Sequence, residues 1–285
     1  MRARYLPDDL HGYDRLVALA VPALIEAAKV LTGSSFAPPY PLFLALPEAG
    51  RPDDDPRFGP EIIAELARRS AVPIDVERSL VIRSGHAGGG LALELAVLRI
   101  AEGGRPQAYL VGGVDSYYQK DVLAWLDEEC RLHSGTAGNG IIPSEGAAFA
   151  VLAASTGEAG ARRAIAKITA AVSAREDTVG TTSPNLATAM TRAVRDVATV
   201  AGGRPIRWVL SDVNGEQHRI SEFSKVEIRS KDLFQEGFLH EALAEELGDV
   251  GAASGAMLLA WACAHSLAGS APAPRVLLAL HAEGQ

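Results

Sequence analysis

The sequence predicts an α/β protein made of two similar halves with largely parallel sheets. Strand-like apolar runs alternate with helical patterns along nearly the whole chain, the order that builds parallel sheets covered by helices. A strand runs into a small-residue turn that opens a buried helix twice, at SGHAGGG and at GDVGAASG. Between these repeats, TGEAGARR at 156–163 is Gly-rich and charged and reads as the boundary, giving an expected amino-terminal half over 1–156 and a carboxyl-terminal half over 164–285.

Each element follows from its local pattern. Residues 13–31 carry apolar side chains at helical spacing (Leu16, Leu19, Ala20, Ala23, Leu24, Ala27, Leu31), with Pro22 expected to kink or restart the helix. PLFLALP at 41–47 is a short apolar run between prolines and predicts a buried strand; RPDDDPRFGP is a polar loop. Pro60 opens a helix to Ser70, a strand follows over 79–83, and after the Gly-rich turn a long apolar helix runs from about Gly89 to Glu102. AYLVGGVDS predicts the next strand, 120–129 a polar helix, SGTAGNG a loop and 147–155 a strand. In the second half AIAKITAAV reads as a strand, 185–200 as a helix, IRWVLSDVN as a strand, 217–224 as a helix, GDVGAASG as the start of a helix to about Leu267, and RVLLALHA as a closing strand.

Composition narrows the function classes. With 285 residues, 48% of them hydrophobic, the chain can bury a full core without disulfides or a structural metal. Cys130 and Cys263 are isolated, so no zinc ribbon is built and a reducing, cytoplasmic setting is expected. A net charge of −8 with scattered Lys and Arg speaks against nucleic acid as a partner. The amino terminus lacks a signal-peptide core, and the apolar runs LVALAVPALI and 256–264 are shorter than the roughly 20 residues of a membrane helix, so no membrane partner is expected.

One polar side chain, His86, stands in the SGHAGGG turn, at the carboxyl end of a strand and the positive end of a helix, where open α/β sheets bind ligands. The alternative reading is a glycine-rich turn chosen for tight helix packing, with His86 filling a pocket. HAGGG resembles an esterase oxyanion loop, but no G-x-S-x-G elbow supplies a nucleophile. There is no Walker lysine and no G-x-G-x-x-G, and HEALAEE lacks the second histidine of a zincin, so neither a metal nor a cofactor is expected. Glu216 and His218 follow Asn214 on a polar turn and face either a pocket or solvent; Cys130, within DEEC, reads as an incidental thiol.

The stretch from Ser84 through AYLVGGVDSYYQ to NGIIPSEGAAFAVLAAS resembles the amino-terminal half of the thiolase superfamily, in particular the β-ketoacyl synthases. GDVGAASG resembles the G-H-x-x-GAAG element of the second half of that family, and SDVNGE its A-H-G-T turn. The resemblance implies a five-layered α/β/α/β/α sandwich of two related halves, acyl carrier protein or acyl-CoA as partner, and a homodimer or a heterodimer with an active ketosynthase. It also implies a longer chain than this one, so that either sheet strands are trimmed or the sequence is a fragment. The family's nucleophilic cysteine falls on His86, its first catalytic histidine on Asn214 and its second on Asp249, with Gly85, Gly88, Glu216 and His218 as the expected substrate-binding neighbours. Glu145 matches a glutamate that serves structure in the family.

A condensing enzyme stores an acyl group on a thiolate and then holds an enolate oxygen with two donors. An acyl-imidazole at His86 would be labile to water, and a carboxylate at Asp249 opposes a developing oxyanion. The expectation is therefore a ketoacyl-synthase-like protein without ordinary condensing activity. The alternatives are an acyltransferase, decarboxylase or thioesterase using His86 with Asp249, and a structural or partner subunit with no acyl ligand.

Overall fold

The computed structural model describes residues 2–103, 107–134, 138–154, 164–178, 181 and 183–282. The predicted boundary at 156–163 lies outside the described residues, as does part of the SGTAGNG loop.

The first half is α1 (Gly12–Ala28), β1 (Leu42–Ala45), α2 (Pro60–Ser70), β2 (Leu80–Ile82), α3 (Gly85–Ala101), β3 (Ala108–Ser116), α4 (Lys120–Glu128) and β4 (Glu145–Ala153). The second is α5 (Thr188–Val200), β5 (Ile206–Ser211), α6 (Gln217–Arg229), β6 (Phe234–Ala242), α7 (Leu243–Leu247), a 3-10 turn (Gly251–Ala253), α8 (Ser254–Ala268) and β7 (Leu277–Ala279). The first sheet has the order β2-β1-β3-β4, parallel except for β4, and the second has β6-β5-β7, parallel throughout. The segment α1-β1-α2-β2-α3-β3 therefore recurs as α5-β5-α6-β6-α8-β7, with the same spatial order of strands. That is the duplication the two glycine turns announce.

Five layers result. Ile62, Ile63 and Leu66 of α2 and Leu16, Leu19 and Leu24 of α1 pack with Leu42, Leu44 and Leu110 on the outer face of the first sheet. On its inner face, Ala92, Leu93 and Ala96 of α3 pack with Phe43 and Val111. Helix α8 places Leu258 and Ala262 against Trp208 and Leu210 of the second sheet, whose other face carries Val194 of α5 and Val226 and Phe223 of α6. The two central helices cross at Gly89 and Gly255: a Cβ on Gly89 would lie 2.8 Å from the Gly255 Cα. Only two glycines allow that approach, and it brings the two turns together.

Five of the expected features differ from the structure. Helix α1 continues unbroken through Pro22, whose ring lies on the exposed side, while Ala18, the residue whose carbonyl loses its donor, is half-buried. Helix α3 begins at Gly85, where a φ of 49° makes the reversal, so His86 lies in its first turn and not ahead of it. AIAKITAAV forms no strand: its apolar residues are mostly alanines, Ile165 is exposed, and the Ser173 N–H beyond it donates to Glu94 instead of a ladder. Conversely β6, FQEGFLHEA, was not anticipated, because an edge strand with polar residues along it carries little apolar signal. The apolar stretch 256–264 is part of a longer helical run, Gly251–Ala268, of 18 residues and mean hydropathy 1.2, long and apolar enough by composition to cross a membrane. In this fold it packs between the two sheets.

Candidate functional site

Three chain reversals meet where the central helices start. After β2 ends at Ile82, Ser84 and Gly85 turn the chain into α3 and carry His86 into the interior. Strand β5 ends at Ser211 and continues through Asp212, Asn214 and Glu216 into α6, which supplies Arg219. Asp249 precedes the 3-10 turn, and its backbone is pinned on both sides, N–H to the Ile142 carbonyl and C=O from the Ser144 N–H.

The three residues predicted at the centre are in contact. His86 Nε2 lies 2.6 Å from Asp249 Oδ1, and Asn214 Nδ2 donates to Asp249 Oδ2 at 2.6 Å. The Gly251 N–H adds a third bond to Asp249 Oδ1 at 2.8 Å. On the other side of the ring, Arg219 Nη2 is 3.2 Å from His86 Nδ1. A guanidinium only donates, so this bond is made by an unprotonated Nδ1, with Nε2–H directed at the carboxylate. Both ring nitrogens are thus engaged, and His86 is only 1% exposed.

The cluster extends in both directions. Arg219, fully buried, also reaches Asp212 at 3.2 Å and Glu216 at 3.4 Å. Asp212 accepts from His281 Nδ1 at 2.6 Å and from the His281 N–H at 2.9 Å. Glu216 is clamped by Arg131 through Nε at 2.6 Å and Nη2 at 3.1 Å, and accepts from Asn214 at 3.2 Å. Burial alone would raise the Asp212 carboxyl, but His281 and Arg219 outweigh it and hold it down to about 2. Burial likewise opposes ionisation of Asp249, and the His86 imidazole with the Arg219 guanidinium keeps its carboxyl below the usual carboxylate range.

The other predicted neighbours take different places. Gly85 makes the reversal, and Gly88 lies close under β1, where a Cβ would meet that of Ala45 at 3.1 Å. Glu216 belongs to the cluster, whereas His218 is exposed on the first turn of α6. Cys130 is exposed and Cys263 half-buried on α8; neither joins the cluster. Among the described residues no group of His, Cys, Asp and Glu is arranged to hold a metal. Two surface clefts among the described residues, one lined by Tyr13, Arg57, Glu61 and Arg68 and another by Ile25, Lys29, Tyr40 and Val72, contain none of these side chains.

Sequence reasoning missed Arg219, Asp212, His281 and Arg131. The spacing of Glu216 and Arg219, three residues apart on one helix face, looks the same for a buried pair as for a solvated one. A second buried set also went unread. Arg51 bonds Asp115 at 2.7 Å and Asp53 at 2.6 Å, and Asp115 Oδ2 accepts the Ala252 N–H at 2.8 Å. Burial pushes the Asp115 carboxyl up even beside Arg51. Gly251, at a φ of 51°, has no room for a side chain, since a Cβ there would sit 2.0 Å from Asp115 Oδ2. Glu145 serves structure, bound by Arg15 through Nε and Nη2 at 2.6 Å each.

No family model matches the sequence, and no curated protein matches it. Solved structures do. The ketosynthase from module 6 of the bacillaene synthase of Bacillus subtilis superposes with a TM-score of 0.70 at 15% identity, over 95% of this chain and 52% of that one. A type II polyketide ketosynthase solved in complex with its acyl carrier protein gives 0.68 at 14% identity, over 93% of this chain and 74% of that one. The ishigamide ketosynthase/chain length factor gives 0.66 at 18% identity, over 91% of this chain and 70% of that one. The chain spans about half the length of the first of these. At such identities the likeness is one of fold, and this chain has the thiolase-like fold of the ketosynthases.

Proposed function

We propose that this chain is a ketosynthase-like protein whose acyl-thioester site has become a closed ionic cluster, and that it performs no ordinary condensation. The observation that carries this reading is the state of His86, the residue at the expected nucleophile position. It is buried, its Nε2 faces Asp249 and its Nδ1 faces Arg219, so neither nitrogen presents a lone pair to a thioester carbonyl. A protein of this kind serves as the non-condensing partner of a cysteine-bearing ketosynthase or as a binder of acyl carrier protein. The pairing of a ketosynthase with a chain length factor, and of a ketosynthase with its carrier, among the structures of the same fold supports that role.

One feature favours a second reading. A His–Asp pair at 2.6 Å is the geometry of a general base, which would suit a thioesterase or acyltransferase. Incubation with malonyl and longer acyl thioesters of coenzyme A and of acyl carrier protein, followed by intact mass and thiol release, separates the two. The closed-site reading expects no adduct and no thiol release above the uncatalysed rate. Acylation or turnover that disappears in His86→Ala overturns it.

A further inference from the structure

The donors around Asp249 form a carboxylate site. Oδ1 receives His86 Nε2 at 2.6 Å and the Gly251 N–H at 2.8 Å, and Oδ2 receives Asn214 Nδ2 at 2.6 Å. These bonds come from three separate elements, all of them buried, and the Arg219 guanidinium stands behind the imidazole. The backbone contributes at the turn, where Val250 at φ −109°, ψ 14° is followed by Gly251 at φ 51° and the Gly251 N–H donates to the Asp249 carboxylate. The next N–H of the turn, that of Ala252, is taken by Asp115 at 2.8 Å. The turn that opens α8 thus binds two carboxylates of its own chain.

We propose that Asp249 is the internal ligand of a carboxylate-binding cage formed by His86, Asn214 and the Gly251 N–H, and that the cage takes a small external monocarboxylate when that side chain is absent. This rests on the reading of the centre as closed and deepens it. While Asp249 is in place, a carboxylate-bearing acyl group meets a like charge at the point where the donors converge. Formate and acetate match the two-oxygen geometry; a neutral amide of the same shape cannot accept at both positions, and chloride lacks the second acceptor.

The test is Asp249→Gly in the full chain, followed by thermal unfolding against sodium formate, sodium acetate, acetamide and sodium chloride at constant ionic strength. Formate is expected to raise the midpoint of Asp249→Gly by several degrees in a saturable way, with acetate similar or weaker and acetamide without effect. The native protein and Asp249→Asn are expected to respond to formate no more than to chloride. Adding Asn214→Ala to Asp249→Gly is expected to weaken the formate response at least about tenfold in midpoint concentration, the loss of one charge-assisted bond. Equal responses of Asp249→Gly to formate and chloride, or of Asp249→Gly and the native protein to formate, overturn the cage. If Asp249→Gly folds only with help, refolding yield in formate against chloride is the readout, and equal failure in both overturns it as well. Acylation of the native protein by thioesters instead refutes the closed-site reading, so the two failures are distinguishable.

Discussion

Arg219 is the cation on which the cluster depends, and its removal gives the sharpest energetic prediction. Its guanidinium is fully buried and lies 3.2 Å from Asp212, 3.4 Å from Glu216 and 3.2 Å from His86 Nδ1. At an effective dielectric of about 20, the attraction to Asp212 at 3.2 Å alone is about 5 kcal/mol. Arg219→Met keeps most of the volume and removes the charge, leaving Asp212, Glu216 and Asp249 with Arg131 as the remaining guanidinium of the cluster. Breaking a buried pair from one side costs about 3–5 kcal/mol, which for a chain of this size lowers Tm by about 5–8 °C. Urea and thermal unfolding at neutral pH measure the loss, with Arg195→Met as control, since Arg195 and Asp232 are 43% and 59% exposed and such pairs contribute about 0–1 kcal/mol. The deficit should shrink toward pH 5. Arg219 helps hold the Asp212 and Asp249 carboxyls down against burial, so without it both titrate higher than in the native protein, the folded variant binds more protons than the native fold as pH falls, and the deficit narrows. A loss no larger than that of Arg195→Met, or one independent of pH, refutes the assignment of Arg219 as the central counter-charge.

Two further outcomes are expected. Gly89→Ala forces a Cβ to 2.8 Å from the Gly255 Cα and 3.0 Å from its nitrogen, so α3 and α8 must separate; denaturant unfolding should show a loss of about 1–3 kcal/mol, whereas Gly138, with no atom within 4 Å of an added Cβ, tolerates the same change. On the acid side, the Asp212 carboxyl held down to about 2 contributes stability that is complete above its unfolded value near 3.8 and is lost as pH falls through about 2. That contribution is about 2 kcal/mol, and Asp212→Asn should flatten this acid limb while the native protein keeps it.

The architecture was legible because its signals are local and repeated. The β1 and β3 runs are apolar and bounded by turn residues, and the paired small-residue turns mark where α3 and α8 meet. What stayed hidden depends on burial that no local pattern encodes. Strand β6 carries Glu236 and His240 on an exposed sheet edge and so reads as loop, and AIAKITAAV reads as strand although it finds no partner. That His86, Asn214 and Asp249 lie together is legible from their positions within motifs. Their chemistry is not, since the state of His86 is set by Arg219, a residue indistinguishable in sequence from a surface arginine.

A closed site requires that His86 be unavailable to an electrophile, and carbethoxylation with diethyl pyrocarbonate tests this on the native protein. Exposed His11, His133 and His218 should be modified rapidly, while His86, 1% exposed and bonded at both nitrogens, stays unmodified in peptide mass maps until the chain is unfolded. Modification of His86 in the folded protein at the rate of the exposed histidines would contradict the closed site and return the residue to the role of a nucleophile.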